Sequence, residues 1–215
     1  MYDANFKIVL FGDETEAKKT FTQKCMINLF SSSQADTLGV DFEVKSLLVN
    51  EFKIKLQVWD VSGERRFRDL LPNYISHARG GLFVYDVAEK SSLTNIDFWL
   101  SLVKKELRKD EIFPIIAVGI VPEAINQRQI TSEEAKILAD LHGLDGIVEC
   151  SIMSGSNIEK MFETLSKLML ERSPPPAEPA SPKKKRKAKG NGLFAKKKRE
   201  KGKKRKKRAK VETKI

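Results

Sequence analysis

Phe6-Lys7-Ile8-Val9-Leu10-Phe11-Gly12, continued by Asp13-Glu14-Thr15-Glu16-Ala17-Lys18-Lys19-Thr20, is the stretch on which the fold turns. Six largely apolar residues closed by a glycine suit a strand buried on both faces that feeds a tight turn. Beyond the turn, Phe21, Cys25 and Leu29 recur at i, i+4 and i+8, which is one face of a helix. A strand ending in Gly12, with Thr20 eight residues on at a helix start, marks where a phosphate-binding loop sits in such an architecture.

The same grammar repeats downstream. Phe42–Val49 and Phe52–Trp59 are β-rich runs joined by Asn50-Glu51, the pattern of an antiparallel hairpin. Leu82–Tyr85 and Ile115–Val118 are apolar runs bounded by Gly81 and Gly119, as buried central strands are. Amphipathic helices are expected over Ser92–Arg108, Thr131–Leu141 and Asn157–Leu170; the second carries Glu133 and Glu134 in its first turn. Alternating strands and helices with one hairpin predict an α/β fold: a doubly wound, mostly parallel sheet with one antiparallel edge hairpin.

Charge divides the chain. Its 215 residues include 40 basic and 29 acidic side chains, net +11. Residues 183–215 hold 19 Lys/Arg and two acids, net +17, which leaves 21 basic and 27 acidic residues, net −6, over residues 1–182. An acidic domain over residues 1–172 is therefore expected to carry a Pro-rich linker at 173–182 and a polybasic tail at 183–215. The tail's blocks Lys183–Lys187, Lys196–Arg199 and Lys203–Arg208 repel one another and bury nothing, which predicts disorder when free. Three uses stay open for it: a solubilising extension, docking to an anionic membrane surface with Leu193-Phe194 dipping in, or binding to nucleic acid or ribosome. In the last case Pro182-Lys183-Lys184-Lys185-Arg186-Lys187 would also suit nuclear import.

Two cysteines, Cys25 and Cys150, and two histidines, His77 and His142, exclude a disulfide framework and a four-ligand zinc site. No apolar run reaches the roughly 20 residues that span a bilayer, and Met1-Tyr2-Asp3 has neither the pattern of a signal peptide nor a myristoylation glycine. The expected setting is the cytoplasm, with peripheral attachment to an anionic membrane.

Five segments stand out: Thr37-Leu-Gly-Val-Asp-Phe42, Trp59-Asp60-Val-Ser-Gly63-Glu-Arg-Arg-Phe-Arg68, Leu82-Phe-Val-Tyr-Asp-Val87, Arg128-Gln-Ile-Thr-Ser-Glu-Glu-Ala135 and Glu149-Cys-Ser151. Through them residues 5–171 resemble the Ras superfamily of small GTPases, the Rab branch most closely, with the first two segments in the first and second switch. The resemblance implies GTP or GDP with Mg²⁺ as ligands and an effector protein on the switch face. Across Gly12, Ala17, Lys18, Lys19 and Thr20 the chain departs from the family's loop: Ala17 replaces the second glycine and Lys19 the Mg²⁺-binding hydroxyl, so Thr20 serves only if the register slips by one. Asp13, Glu14 and Glu16 set three carboxylates where a polyanion would bind; a like-charge pair within about 4 Å costs on the order of 4 kcal/mol at an effective dielectric near 20, which Lys18 and Lys19 offset in part, and weak phosphate affinity is expected.

Thr37 stands as the first-switch γ-phosphate sensor and Mg²⁺ ligand, Asp60 as the residue that holds Mg²⁺ through water, and Gly63 as a backbone donor to the γ-phosphate. Glu64 replaces the glutamine that orients the attacking water, and is the catalytic candidate. The guanine-reading motif falls on Ile120-Val121-Pro122-Glu123, where only the Glu123 carboxylate survives, and Ser151 heads a motif whose lysine is lost. Phe42, Trp59 and Tyr74 occupy the family's effector-binding aromatic triad; aromatics on strands also serve packing alone. No cysteine follows Cys150, so prenylation is not expected. These readings predict a monomeric partner-binding module with weakened or lost nucleotide chemistry and, if nucleotide is lost, no cofactor. The alternative is a working GTP-binding switch in which Lys19 or Thr20 substitutes in the loop and Glu123 still reads the base.

Overall fold

Strand β1, Ala4–Phe11, alternates between two cores: Ile8 and Leu10 face one, Val9 and Phe11 the other, all fully buried. That two-sided burial explains why its sequence is a near-continuous apolar run. A computed structural model describes residues 1–26, 39–108, 111–121 and 127–172. Within them β2 spans Val40–Val49, β3 Phe52–Val61, β4 Gly80–Asp86, β5 Ile115–Val121 and β6 Gly146–Ser151. The six strands form one sheet in the order β2-β3-β1-β4-β5-β6. Only the β2–β3 pair is antiparallel, and it lies at one edge, so the sheet is doubly wound with an antiparallel edge hairpin as the sequence predicts.

Helices α1 (Glu16–Met26) and α6 (Ile158–Arg172) cover one face, where Phe21, Met161, Phe162, Leu165 and Met169 pack on Leu82, Val84, Ile116 and Val118. Helices α2 (Leu71–Ile75), α3 (Lys90–Thr94), α4 (Ile96–Glu106) and α5 (Ser132–Leu141) cover the other, where Trp99, Leu100 and Val103 meet Phe11, Phe83 and Tyr85. Each large apolar side chain fully buried there stabilises the fold by about 1.5–3 kcal/mol. Helix α5 starts at a capping box: Thr131 Oγ1 accepts from the Glu134 N–H at 3.1 Å and Glu134 Oε2 accepts from the Thr131 N–H at 2.8 Å.

Two expectations change. The single helix predicted over Ser92–Arg108 divides into α3 and α4 at Asn95, whose side chain turns to donate to Asp13. Between β3 and α2 the chain forms a 3₁₀ turn, Arg65–Leu70, which the arginine-rich sequence does not signal. Among the described residues no helix is long and apolar enough to cross a membrane.

Candidate functional site

The loop from Gly12 to Thr15 joins β1 to α1 at the end of the central strands, the crevice where ligands bind in open α/β sheets. Gly12 adopts φ +147°, and a Cβ there would lie 2.1 Å from the Val84 carbonyl oxygen, so only glycine lets the loop pass this close to β4. Thr15 caps α1: its Oγ1 accepts the Lys18 N–H at 3.0 Å. The helix therefore begins at Glu16, one turn before Thr20, whose hydroxyl donates to the Glu16 carbonyl at 2.9 Å. Ala17 packs partly buried against the core. Lys19 is exposed and paired with Glu16 at 3.1 Å, a contact that raises the basicity of its ammonium.

Lys18 does the reverse of Lys19 and turns inward, leaving 2% of its surface exposed. Its Nζ donates to Asp60 Oδ1 at 3.0 Å and to the Val61 carbonyl at 3.2 Å, and lies 3.7 Å from Glu14 Oε2. Burial pushes the Asp60 carboxyl above its ordinary range, with the Lys18 charge pulling the other way. Glu14 Oε2 also accepts the Gly63 N–H at 2.7 Å and the Ser62 hydroxyl at 3.0 Å. Gly63 is pressed against the loop: a Cβ on it would fall 2.2 Å from Glu14 N and 2.3 Å from the Gly12 carbonyl oxygen.

Asp13 faces a separate group. Its Oδ1 accepts from Arg68 Nη2 at 2.9 Å and from Trp99 Nε1 at 3.0 Å, and its Oδ2 accepts from Asn95 Nδ2. Arg68 in turn donates from Nε to the Gly63 carbonyl at 2.9 Å and lies over the rings of Phe98 and Trp99. Asp13 and Glu14 thus hold the two ends of the segment from Gly63 to Arg68. The expected clash of three loop carboxylates is resolved by pairing, since each of Asp13, Glu14 and Glu16 has a cationic partner. Glu64 is half-exposed and accepts from Arg66 Nε at 2.8 Å.

The Ras family profile matches residues 7–171. The chain belongs to the Ras family. Its relatives are Rab-like: Ras-related protein Rab-19 of Xenopus laevis is 32% identical over 172 residues, covering 80% of each chain. GTP-binding protein ypt3 of Schizosaccharomyces pombe is 35% identical over 166 residues, 76% of this chain and 75% of its own. Ras-related protein Rab-1 of Theileria annulata is 33% identical over 172 residues, 80% of this chain and 77% of its own.

In this Rab-like chain the remaining inherited positions lie further along the same end of the sheet. Ile120, expected at the position of the base-reading asparagine, is fully buried in the core beneath α1 and α6. Ser151 closes β6, and its Oγ accepts the Ser154 N–H at 3.3 Å. Met153, where the lysine of that motif would stand, is exposed. Behind Ser151, Glu149 forms a bidentate pair with Arg128 at 2.8 and 2.9 Å and accepts the Ser132 hydroxyl at 2.9 Å. Thr37, Glu123, the linker at 173–182 and the tail at 183–215 lie outside the described residues.

On the β2–β3 edge, Phe42 stands opposite Trp59 in the strand register. Their ring centroids are 4.6 Å apart, and Trp59 lies 5.3 Å from Tyr74 of α2. Lys7 lies 5.5 Å from the centre of the Trp59 ring, donates to the Ser76 carbonyl at 2.8 Å, and is made less basic by partial burial. Phe42 is half-exposed, whereas Trp59 and Tyr74 are partly buried against the core, so the cluster presents Phe42 to solvent on a packed base.

The sequence reading missed three working residues. Ser62, Asn95 and Trp99 bear on the loop only through hydrogen bonds spanning 48, 82 and 86 residues. Glu14 was visible only as a charge, and the signal for its role is Lys18 four residues on, one helical turn away.

Proposed function

We propose that this Rab-like chain is a partner-binding module in which GTP binding and hydrolysis are weakened or lost. The observation that carries the proposal is that the loop's own groups already use the donors a phosphate would need. Thr15 takes the Lys18 amide, Asp60 and Val61 take the Lys18 ammonium, and Glu14 takes the Gly63 amide. The family normally binds GTP or GDP with Mg²⁺, and these residues do not fit that pair. Gly63 lies against the loop backbone, Lys19 brings a cation where a metal-binding hydroxyl belongs, and Thr20 donates within its helix. No reaction step is therefore assigned to Glu64, Thr37 or Asp60, nor base recognition to Glu123 or Ser151.

Proteins of this family bind effectors, and the contiguous rings of Phe42, Trp59 and Tyr74, with Phe42 half-exposed over the two partly buried ones, suit such a partner. The monomeric domain is cytoplasmic and is carried to anionic membrane by the +17 charge of residues 183–215, each basic residue near such a surface adding about 1 kcal/mol. Full-length chain should sediment with phosphatidylserine vesicles and lose that binding steeply with salt or on deletion of residues 183–215; retention on RNA but not on vesicles would transfer the tail to nucleic acid.

The nucleotide proposal is tested by mixing full-length protein with fluorescent GTP at micromolar concentration and Mg²⁺. No change in emission is expected. Saturable binding that Lys18→Ala abolishes would favour the working switch instead.

A further inference from the structure

We infer that the Glu14 carboxylate is an internal ligand: it takes the place of a phosphoryl group in its own loop and holds the second switch closed without nucleotide. The inference rests on the proposed loss of nucleotide binding and goes beyond it, because a merely damaged site would leave its donors to water.

Three donors from two segments converge on one oxygen of Glu14. The Gly63 N–H is at 2.7 Å, the Ser62 hydroxyl at 3.0 Å and the Lys18 ammonium at 3.7 Å. A backbone amide, a hydroxyl and a buried ammonium around one anionic oxygen make a cradle of the kind that binds phosphate. Glu14 retains 17% side-chain exposure and Lys18 2%, so the interaction is only weakly screened. Gly63 also lies close to the loop backbone, where a Cβ on it would fall 2.2 Å from Glu14 N and 2.5 Å from Asp13 C, so the Glu14 contact is made at short range.

The neighbouring carboxylate completes the device. Asp13 binds Arg68, and Arg68 binds the Gly63 carbonyl, so Glu14 and Asp13 fix the N–H and the C=O sides of Gly63. The segment they fix leads through the 3₁₀ turn Arg65–Leu70 into α2, which carries Tyr74 of the aromatic face. Partner presentation is thereby set by residues 13 and 14 and is independent of a bound nucleotide.

The test follows the Gly63 amide by hydrogen exchange in full-length protein. A hydrogen bond to a charged acceptor is worth about 1.5–3 kcal/mol, so Glu14→Ala should exchange Gly63 about 10- to 150-fold faster than wild type. Millimolar inorganic phosphate should slow it again in the variant and leave wild type unchanged. Glu14→Ser, too short to reach Gly63, should match the alanine variant and covers the case in which alanine impairs folding. Glu16→Ala, which removes an exposed carboxylate of the same loop, should not change the rate. Wild-type exchange in both Glu14 variants, or failure of phosphate to slow them, would overturn the inference. If instead wild-type protein is isolated with GTP or GDP and Gly63 loses protection when it is stripped, the loss-of-nucleotide proposal itself has failed.

Discussion

Lys18→Met separates the two lives this lysine can lead. In a nucleotide-binding protein the substitution removes a ligand contact and leaves the empty fold nearly as stable as before. Here Lys18 lies 3.0 Å from Asp60 and 3.7 Å from Glu14 at 2% exposure, so methionine leaves Asp60, only 10% exposed, without its cation. Breaking a buried pair by removing one partner costs about 3–5 kcal/mol. For a domain of this length that is about 6–20 °C in Tm, at roughly 2–4 °C per kcal/mol. The pH dependence has a definite sign. Burial already raises the Asp60 carboxyl, and losing Lys18 raises it further. A raised folded pKa stabilises the protonated form, so its benefit is present in acid and is lost as pH rises from the ordinary carboxyl range through the folded value. The variant's deficit measured by denaturant unfolding should therefore be large at neutral pH and smaller in mild acid. Asp60→Asn should recover part of it in the double variant. A deficit below about 1 kcal/mol at neutral pH, or strict additivity of the two substitutions, would refute the internal pairing.

Three further outcomes are expected. Asp13→Ala, in a Trp59→Phe background, should cost about 1–3 kcal/mol and shift Trp99 emission, because the buried indole N–H and Asn95 lose their acceptor. Hydrogen bonds from Arg128 hold Glu149 below the usual glutamate range, so that pair stabilises the fold above that range and fails as pH falls through the depressed value; Arg128→Ala should cost about 2 kcal/mol at neutral pH and flatten the acid limb of the stability curve. Burial pushes the Cys150 thiol up to about 12, so in a Cys25→Ser background iodoacetamide should label native protein only at the rate of unfolding.

The strands were legible where burial alone dictates sequence. β4, β5 and the Ile8–Phe11 half of β1 are buried on both faces, whereas exposed Asn5 and half-buried Lys7 alternate with apolar residues at the start of β1. β6 was legible only as part of a motif, because Glu149 interrupts its apolar residues to meet Arg128 and Ser132. The predicted helix across Asn95 failed for a related reason: that side chain answers to Asp13, 82 residues away, and not to the local helical period. The site divides the same way. The identities at Ala17, Lys19, Glu64 and Ile120 are plain in the sequence, whereas the direction in which Glu14 and Lys18 turn depends on Gly63 and Asp60, brought beside them by the parallel pairing of β1 with β3. The local offset by Lys18 and Lys19 was legible in the charge count, and the pairing of Asp13 with Arg68 was not.

The central claim is that the loop is satisfied by its own side chains, and nucleotide content measures it most directly. Freshly purified full-length protein, denatured and assayed by mass spectrometry for released guanine nucleotide, should yield none above background. One GTP or GDP released per chain would contradict the account.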